Sequence, residues 1–509
     1  MKRLSLATSF LLLASLLPLG PVVVQPASEK GKKIKIKNAD KGYYQKSERR
    51  NRLIGNVIFE HEGALVYCDS AWLFSRENRI QAYSNVRVNQ GDSLFLWGDY
   101  LEYNGNTRLA TVTGDEVRLD DTEMTLITTR LDFDRNRSLA YYHEGGRITS
   151  EDNVLTSQHG SYHTHSKIFD FKDSVKLINP EYVIEGDTLR YGSSSRIAYF
   201  EGPTTITSDS SFIYCENGRY NTISDIAQFR ENAYLYEDHK FLTGDSLYYE
   251  KYQQFGEAFE NVRLNDTLED YLITGGYGRF LGASDSTFVT FDPIYSVLSE
   301  GDSLHIHGDT LFAYNRQDSI GEYKQIKVYR KVKIYKSDLQ GKCDSLSYSS
   351  RDSAFQMYYD PIIWSDSSQV TGDTIFLTMR NDVLDSLKIF SNGFILSEND
   401  LGKYNQIKGR NMFGKFLDND LRRVYVNGNG QTIYFPKDDK EEYIGMNRAI
   451  CSNILIKLRD NEVRSITFLN KPEAKLHPLS EAQGEIAELD GLRPRFEERP
   501  ASKQALLEP

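Results

Sequence analysis

The sequence predicts an all-β fold, an elongated repeat of the jelly-roll or solenoid type with a groove-like apolar interior. Three observations carry this reading. A short motif recurs about every thirty residues. Apolar and polar residues alternate within each copy. The composition is rich in Tyr (33) and Phe (26) and poor in Pro (13), which suits pleated, half-buried strands.

The motif is a Gly-Asp pair followed by alternating residues. It reads GDYLEY at 98–103, GDTLRY at 186–191, GDSLYY at 244–249, GDTLFA at 308–313 and GDTIFL at 372–377. Degenerate copies fill the intervals: CDSAWL (68–73), TTRLDF (128–133), GSYHTH (160–165), CENGRY (215–220), GGYGRF (275–280) and CDSLSY (343–348). The second residues fall at 69, 99, 129, 161, 187, 216, 245, 276, 309, 344 and 373, so neighbouring units lie 26 to 35 residues apart. A fixed period of this size marks a repeat architecture. Each unit has a second half, as in RIQAYSNVRV (79–88), RIAYFEGPTTI (196–206) and QFGEAFENVRL (254–264).

Side chains alternate across a strand. This groups Leu247 with Tyr249, and Ala198 with Phe200. One unit cannot bury its apolar face alone, whereas stacked copies share a continuous interior. The candidate lining of that interior is Leu101, Tyr103, Leu189, Tyr191, Ala198, Phe200, Leu247, Tyr249, Val262 and Leu264. Alternation shows which residues share a face and leaves open which face points inward. The Asp after each Gly reads as a turn residue that starts a strand.

Five segments follow. Residues 1–28 carry Lys2 and Arg3, an apolar run at 4–19 and small residues at Ala27 and Ser28, the pattern of a secretory signal peptide; an N-terminal membrane anchor is the alternative. Residues 29–52 form a basic entry containing a first strand, KIKIKNA at 33–39. The repeats occupy 53–390. Residues 391–478 continue or cap the β structure. The charged, Pro-punctuated tail at 479–509 is expected to be mobile or to act as a docking segment.

The net charge of −11 argues against nucleic acid, which requires a basic stripe. Cys68, Cys215 and Cys343 occupy the Gly slot of the motif and read as small buried residues; Cys451 has no evident partner. The pairs His163/His165 and His305/His307 alternate on strands, but no further ligands complete a metal site. The repeated Asp is structural, since a glycosidase needs one special carboxylate pair. No nucleophile elbow, phosphate-binding loop or nicotinamide fingerprint is present. The sequence therefore predicts neither an enzyme nor a metal or other cofactor.

The stretches LIGNVIFEHEGALVYCDSAW (53–72), AYSNVRVNQGDSLFLWGDYLEYNG (82–105) and GMNRAICSNILIKLRDNEVRSITFLNKPEAKLHP (445–478) resemble the OstA-like proteins of lipopolysaccharide transport. The resemblance is to LptA-like proteins, to the N-terminal domain of LptD, and most of all to the long OstA-like proteins of Bacteroidetes-type bacteria. It implies a twisted β-jelly-roll that shields the acyl chains of lipid A in a groove. It further implies a periplasmic protein of outer-membrane biogenesis that binds lipopolysaccharide and pairs edge strands with other transport proteins or, head to tail, with itself. The alternatives are an exported β-solenoid for structure or adhesion without lipid cargo, and a carbohydrate-active β-helix enzyme.

Overall fold

The computed structural model describes residues 32–91, 94–122, 124–150, 152–237, 239–299, 301–380, 383–417, 420–459 and 462–508. The expected signal peptide and the first residues of the basic entry lie outside them. The described residues form 38 strands joined by antiparallel pairings, with only short 3₁₀ turns besides, so the protein is all-β. Two compact units divide the chain: residues 32–122 with 130–136, and residues 124–129 with 137–508.

Both units are built on one scheme. A long strand pairs with the next, and the register slips once near the middle. In Arg50–His61 the slip falls between Ile54 and Val57; in Phe255–Asp266 it falls between Phe259 and Val262. At the slip one or two residues adopt positive φ, such as Ser84 and Asn85, Glu260 and Asn261, or Ser391 and Asn392. Asn tolerates this left-handed conformation better than most residues. Such a bulge bends the strand. In each unit the strand halves on one side of the bulges form one sheet, here sheet I, and the halves on the other side form sheet II. In the second unit one apolar cluster joins Leu311, Ile326 and Val328 of sheet I to Ile306, Ile334 and Leu339 of sheet II, so the interior lies between the sheets.

The Gly-Asp pair sits at this corner, within or beside the bend: the copies at 244, 308 and 372 immediately precede strands that begin at Ser246, Thr310 and Thr374, whereas those at 98 and 186 lie inside a strand. Gly98 and Asp99 are internal to Leu94–Asn104. The carboxylate bonds across to the bulge of the following strand. Asn85 Nδ2 donates to Asp69 at 2.7 Å, Asn261 Nδ2 to both oxygens of Asp245 at 3.0 and 3.1 Å, and Asn392 Nδ2 to both oxygens of Asp373 at 3.1 Å. Between Asp245 and Asn261 the chain runs out through a hairpin and returns. The Gly is needed for close approach: a Cβ on Gly98 would lie 2.5 Å from Val112 Cγ1, and one on Gly372 2.3 Å from Ile389 Cγ2.

Cys68, Cys215 and Cys343 fill the same corner slot as buried free thiols. Burial pushes the Cys68 thiol up to about 11 and that of Cys215 to about 12. Cys451 proves to hold this slot too, in register with Gly430, so the corner pattern continues through residues 391–478.

Residues 479–508 do not project away as a mobile tail. They run back over the outer face of sheet II in the second unit. Ala482 and Leu489 pack there with Phe394, Leu396, Ile433, Phe435 and Met446 in a cluster separate from the interior. The physical reason is that sheet II presents large apolar residues outward in this region, and the segment supplies apolar anchors that remove them from water.

Candidate functional site

The ten candidate lining residues separate into three groups. Leu101, Tyr103, Leu189, Ala198, Phe200, Leu247 and Val262 are buried between the sheets, which settles the inward face. Tyr191 and Leu264 are half-buried. Tyr249 is 37% exposed. Spatially, Tyr249 and Leu264 come together at one cavity in the second unit, and Leu101 and Tyr103 at another in the first. Leu189, Tyr191, Ala198, Phe200, Leu247 and Val262 line neither.

The larger cavity measures about 290 Å³ and lies between the sheets on the side opposite the corners. This is near the lower end of small-ligand pockets, about 300–1,000 Å³. Its walls are mainly apolar: Leu235, Leu242, Leu264 and Ile273 from sheet II, Phe280 and Ala313 from sheet I. Sequence reading missed most of these. Leu272, between Tyr271 and Ile273, alternates as a strand should, and nothing in the motif distinguishes this rung from its neighbours.

Two lysines stand at the rim, each tethered to an acid. Lys324 bonds Glu269, and its Nζ lies 4.1 Å from the Tyr271 ring centroid. Lys240 Nζ is 3.8 Å from Asp285, which also accepts from Asn315 Nδ2 at 2.5 Å. The Tyr271 and Tyr295 rings lie 5.8 Å apart. Burial, followed by nearby charged groups and tyrosines, pushes both phenols well above the ordinary tyrosine value, so they stay neutral donors. Asp266, buried below the rim, accepts the backbone N–H groups of Leu268 and Glu269 at 3.0 Å each. The site can therefore shield a hydrocarbon chain and present neutral hydroxyls and paired charges at its edge.

The cavity of the first unit is only about 50 Å³, and its open side is filled. Ile34 is buried in it, with its N–H donated to Asn78 Oδ1 at 2.9 Å. Asn78 Nδ2 and a ring N–H of His61 donate to the Lys32 carbonyl at 3.1 and 2.8 Å. Because His61 Nε2 must carry that proton, Nδ1 accepts from the Tyr103 hydroxyl at 2.7 Å. Arg135 donates to the carbonyls of His61 and Glu62 at 3.2 Å each. The Arg108 guanidinium, 2.7 Å away, holds the Glu62 carboxyl below its usual range.

The histidine pair at 305 and 307 makes local bonds: His305 Nδ1 to Ser296 Oγ at 2.8 Å, and His307 Nδ1 to the Pro293 carbonyl at 3.0 Å. Among the described residues no cluster of three or more His, Cys, Asp or Glu side chains is placed to hold a metal, and no helix is long and apolar enough to cross a membrane.

Fold and site together define an antiparallel β-repeat protein with an internal apolar cavity. Residues 31–187 match the model of a family described as OstA-like protein, so this part of the chain is OstA-like, as its motifs indicate. The match covers the first two of the three resembling stretches; the third, at 445–478, and the larger cavity lie beyond it. No curated protein matches the chain.

Proposed function

We propose that the chain binds the acyl portion of a lipopolysaccharide-class glycolipid and serves lipopolysaccharide transport in the periplasm, as a carrier or bridge and without catalysing a reaction. The observation that carries this is the apolar-walled cavity of about 290 Å³, set where the two sheets part, in a chain with an OstA-like region. Each buried CH₂ of an acyl chain contributes about 0.8 kcal/mol, so shielding alone suffices to hold cargo. The N-terminal leader pattern supports export. The strands Lys35–Asn38 and Lys41–Gln45 expose Ile36, Tyr43 and Tyr44, which supports edge-strand pairing with other transport proteins or a second copy.

The filled interior of the first unit favours the second reading, an exported structural or adhesion protein without cargo. Photo-crosslinking separates the two. A photoreactive residue at Leu264 or Tyr249 is expected to give lipopolysaccharide adducts. One at Phe200, 1% exposed, is expected to give none. A folded protein without adducts at 264 and 249 would sink the transport reading.

A further inference from the structure

The segment 479–508 crosses sheet II instead of joining it, and this creates a distinct chemical problem. The sheet's own N–H and C=O groups are committed to their ladders, so an extended chain laid across the face must find side-chain partners. One cross-strand row provides them. The register links Gln340 to Trp364, Trp364 to Gln369, Gln369 to Leu396, Leu396 to Gln406, Gln406 to Ile433 and Ile433 to Arg448. Polar and apolar residues alternate along it.

Each polar member grips the segment. Gln406 donates to the Ala487 carbonyl at 2.8 Å and accepts from the Leu489 N–H at 2.8 Å. Gln369 donates to the Arg493 carbonyl at 2.9 Å and accepts from the Arg495 N–H at 2.7 Å. Both glutamines are 2% exposed. The residue between the second pair of gripped atoms is Pro494, which has no N–H to satisfy. Arg448 takes the carbonyls of Glu485 and Ile486 at 2.9 and 2.8 Å, and Gln340 accepts from Arg499 at 2.5 Å.

Most of these contacts read backbone, as a receptor for extended peptides does. Side-chain selectivity comes from Leu489, in the outer apolar cluster, and from Arg495, 6% exposed. Arg495 meets both oxygens of Asp360 at 3.0 Å and both of Glu498 at 2.6 and 2.8 Å.

We propose that the outer face of sheet II, along the row from Gln340 to Arg448, is a peptide-binding site whose occupant is the chain's own segment 479–508, held as a separable ligand. Separability follows from the packing. The segment adds no strand to a ladder, and the apolar cluster it covers is distinct from the cluster between the sheets. Its departure uncovers Phe394, Leu396 and Ile433 without opening the interior.

The test uses the full chain with a specific protease site inserted between Pro478 and Leu479, cut in the folded state. The nicked protein is expected to retain the released segment on gel filtration at micromolar concentration and to exchange it for excess fluorescent peptide 479–508. Uncut protein is expected to bind that peptide far more weakly. The Gln369→Ala/Gln406→Ala double variant and a peptide carrying Arg495→Ala are each expected to bind at least about tenfold more weakly. The proposal is overturned if nicking and exchange unfold sheet II by circular dichroism. It is equally overturned if the nicked protein stays folded and takes up no peptide, or if cut and uncut chains bind it alike.

Discussion

The two cavities are built on the same corner-and-hairpin scheme and differ in what occupies the side opposite the corners. In the first unit Ile34 and the His61–Tyr103–Arg135 network fill it, leaving about 50 Å³. In the second unit Tyr271 and Tyr295 flank the opening, Ala313 is small, and the cavity measures about 290 Å³. The lesson is that an interior of this type is opened or closed by a few hairpin-end residues, with the corners left unchanged.

The sharpest way to break this comparison is to make one truncation in both places. Leu101→Ala in the filled interior is expected to cost about 2–5 kcal/mol, the range for a cavity that cannot collapse. Leu264→Ala, on a half-open wall, is expected to cost about 1 kcal/mol and to weaken lipid binding instead. Denaturant unfolding with a lipid-binding readout measures both. Equal destabilisation at the two positions would mean that the second cavity is as tightly packed as the first.

A smaller effect is expected at the corners. Gly98→Ala drives a Cβ to 2.5 Å from Val112, whereas the nearest atom to a Cβ on Gly244 is 3.3 Å away. The first change is expected to cost about 1–3 kcal/mol and the second less than about 1 kcal/mol, by the same unfolding measurement. Equal costs would show that Val112 yields to the added methyl and that the close approach at Gly98 does not constrain the corner.

The smallest effect is a pH dependence. Burial holds His305 and His307 below the ordinary histidine value, with Lys503 adding to the effect at His305. The folded chain then binds fewer protons than the unfolded chain below about pH 6.5, so stability in the second unit is present above that pH and falls as pH drops through it. Hydrogen exchange, corrected for intrinsic rate, is expected to quicken at 294–307 between pH 7 and 5.5. His305→Gln/His307→Gln removes the change.

The sequence made the all-β class, the period and the residues that share a strand face legible, because alternation and recurrence are local properties; which face points inward it left open. That Leu101, Leu189 and Leu247 are buried is seen only once the two sheets are assembled. The partner of Asp245 was not legible: Asn261 becomes its neighbour only once the hairpin between them is formed. The open rung was hidden for a similar reason, since Leu242 and Ala313 face each other only across two sheets. Gln369 and Gln406 sit among other polar residues in the chain (DSSQ at 366–369, NQ at 405–406), and their row exists only in the assembled register. The segment 479–508 has apolar anchors at irregular intervals because it crosses strands and follows no strand period.

The corner latch has a consequence for how such a protein changes over generations. Each Asp–Asn bond joins a strand only to its immediate successor, so the latch involves no distant residue. A duplicated pair of strands carries its own aspartate and asparagine and can be inserted without altering the rungs on either side. Rung number is then a quantity that duplication or deletion can adjust in whole steps, leaving the local rules of every remaining rung intact.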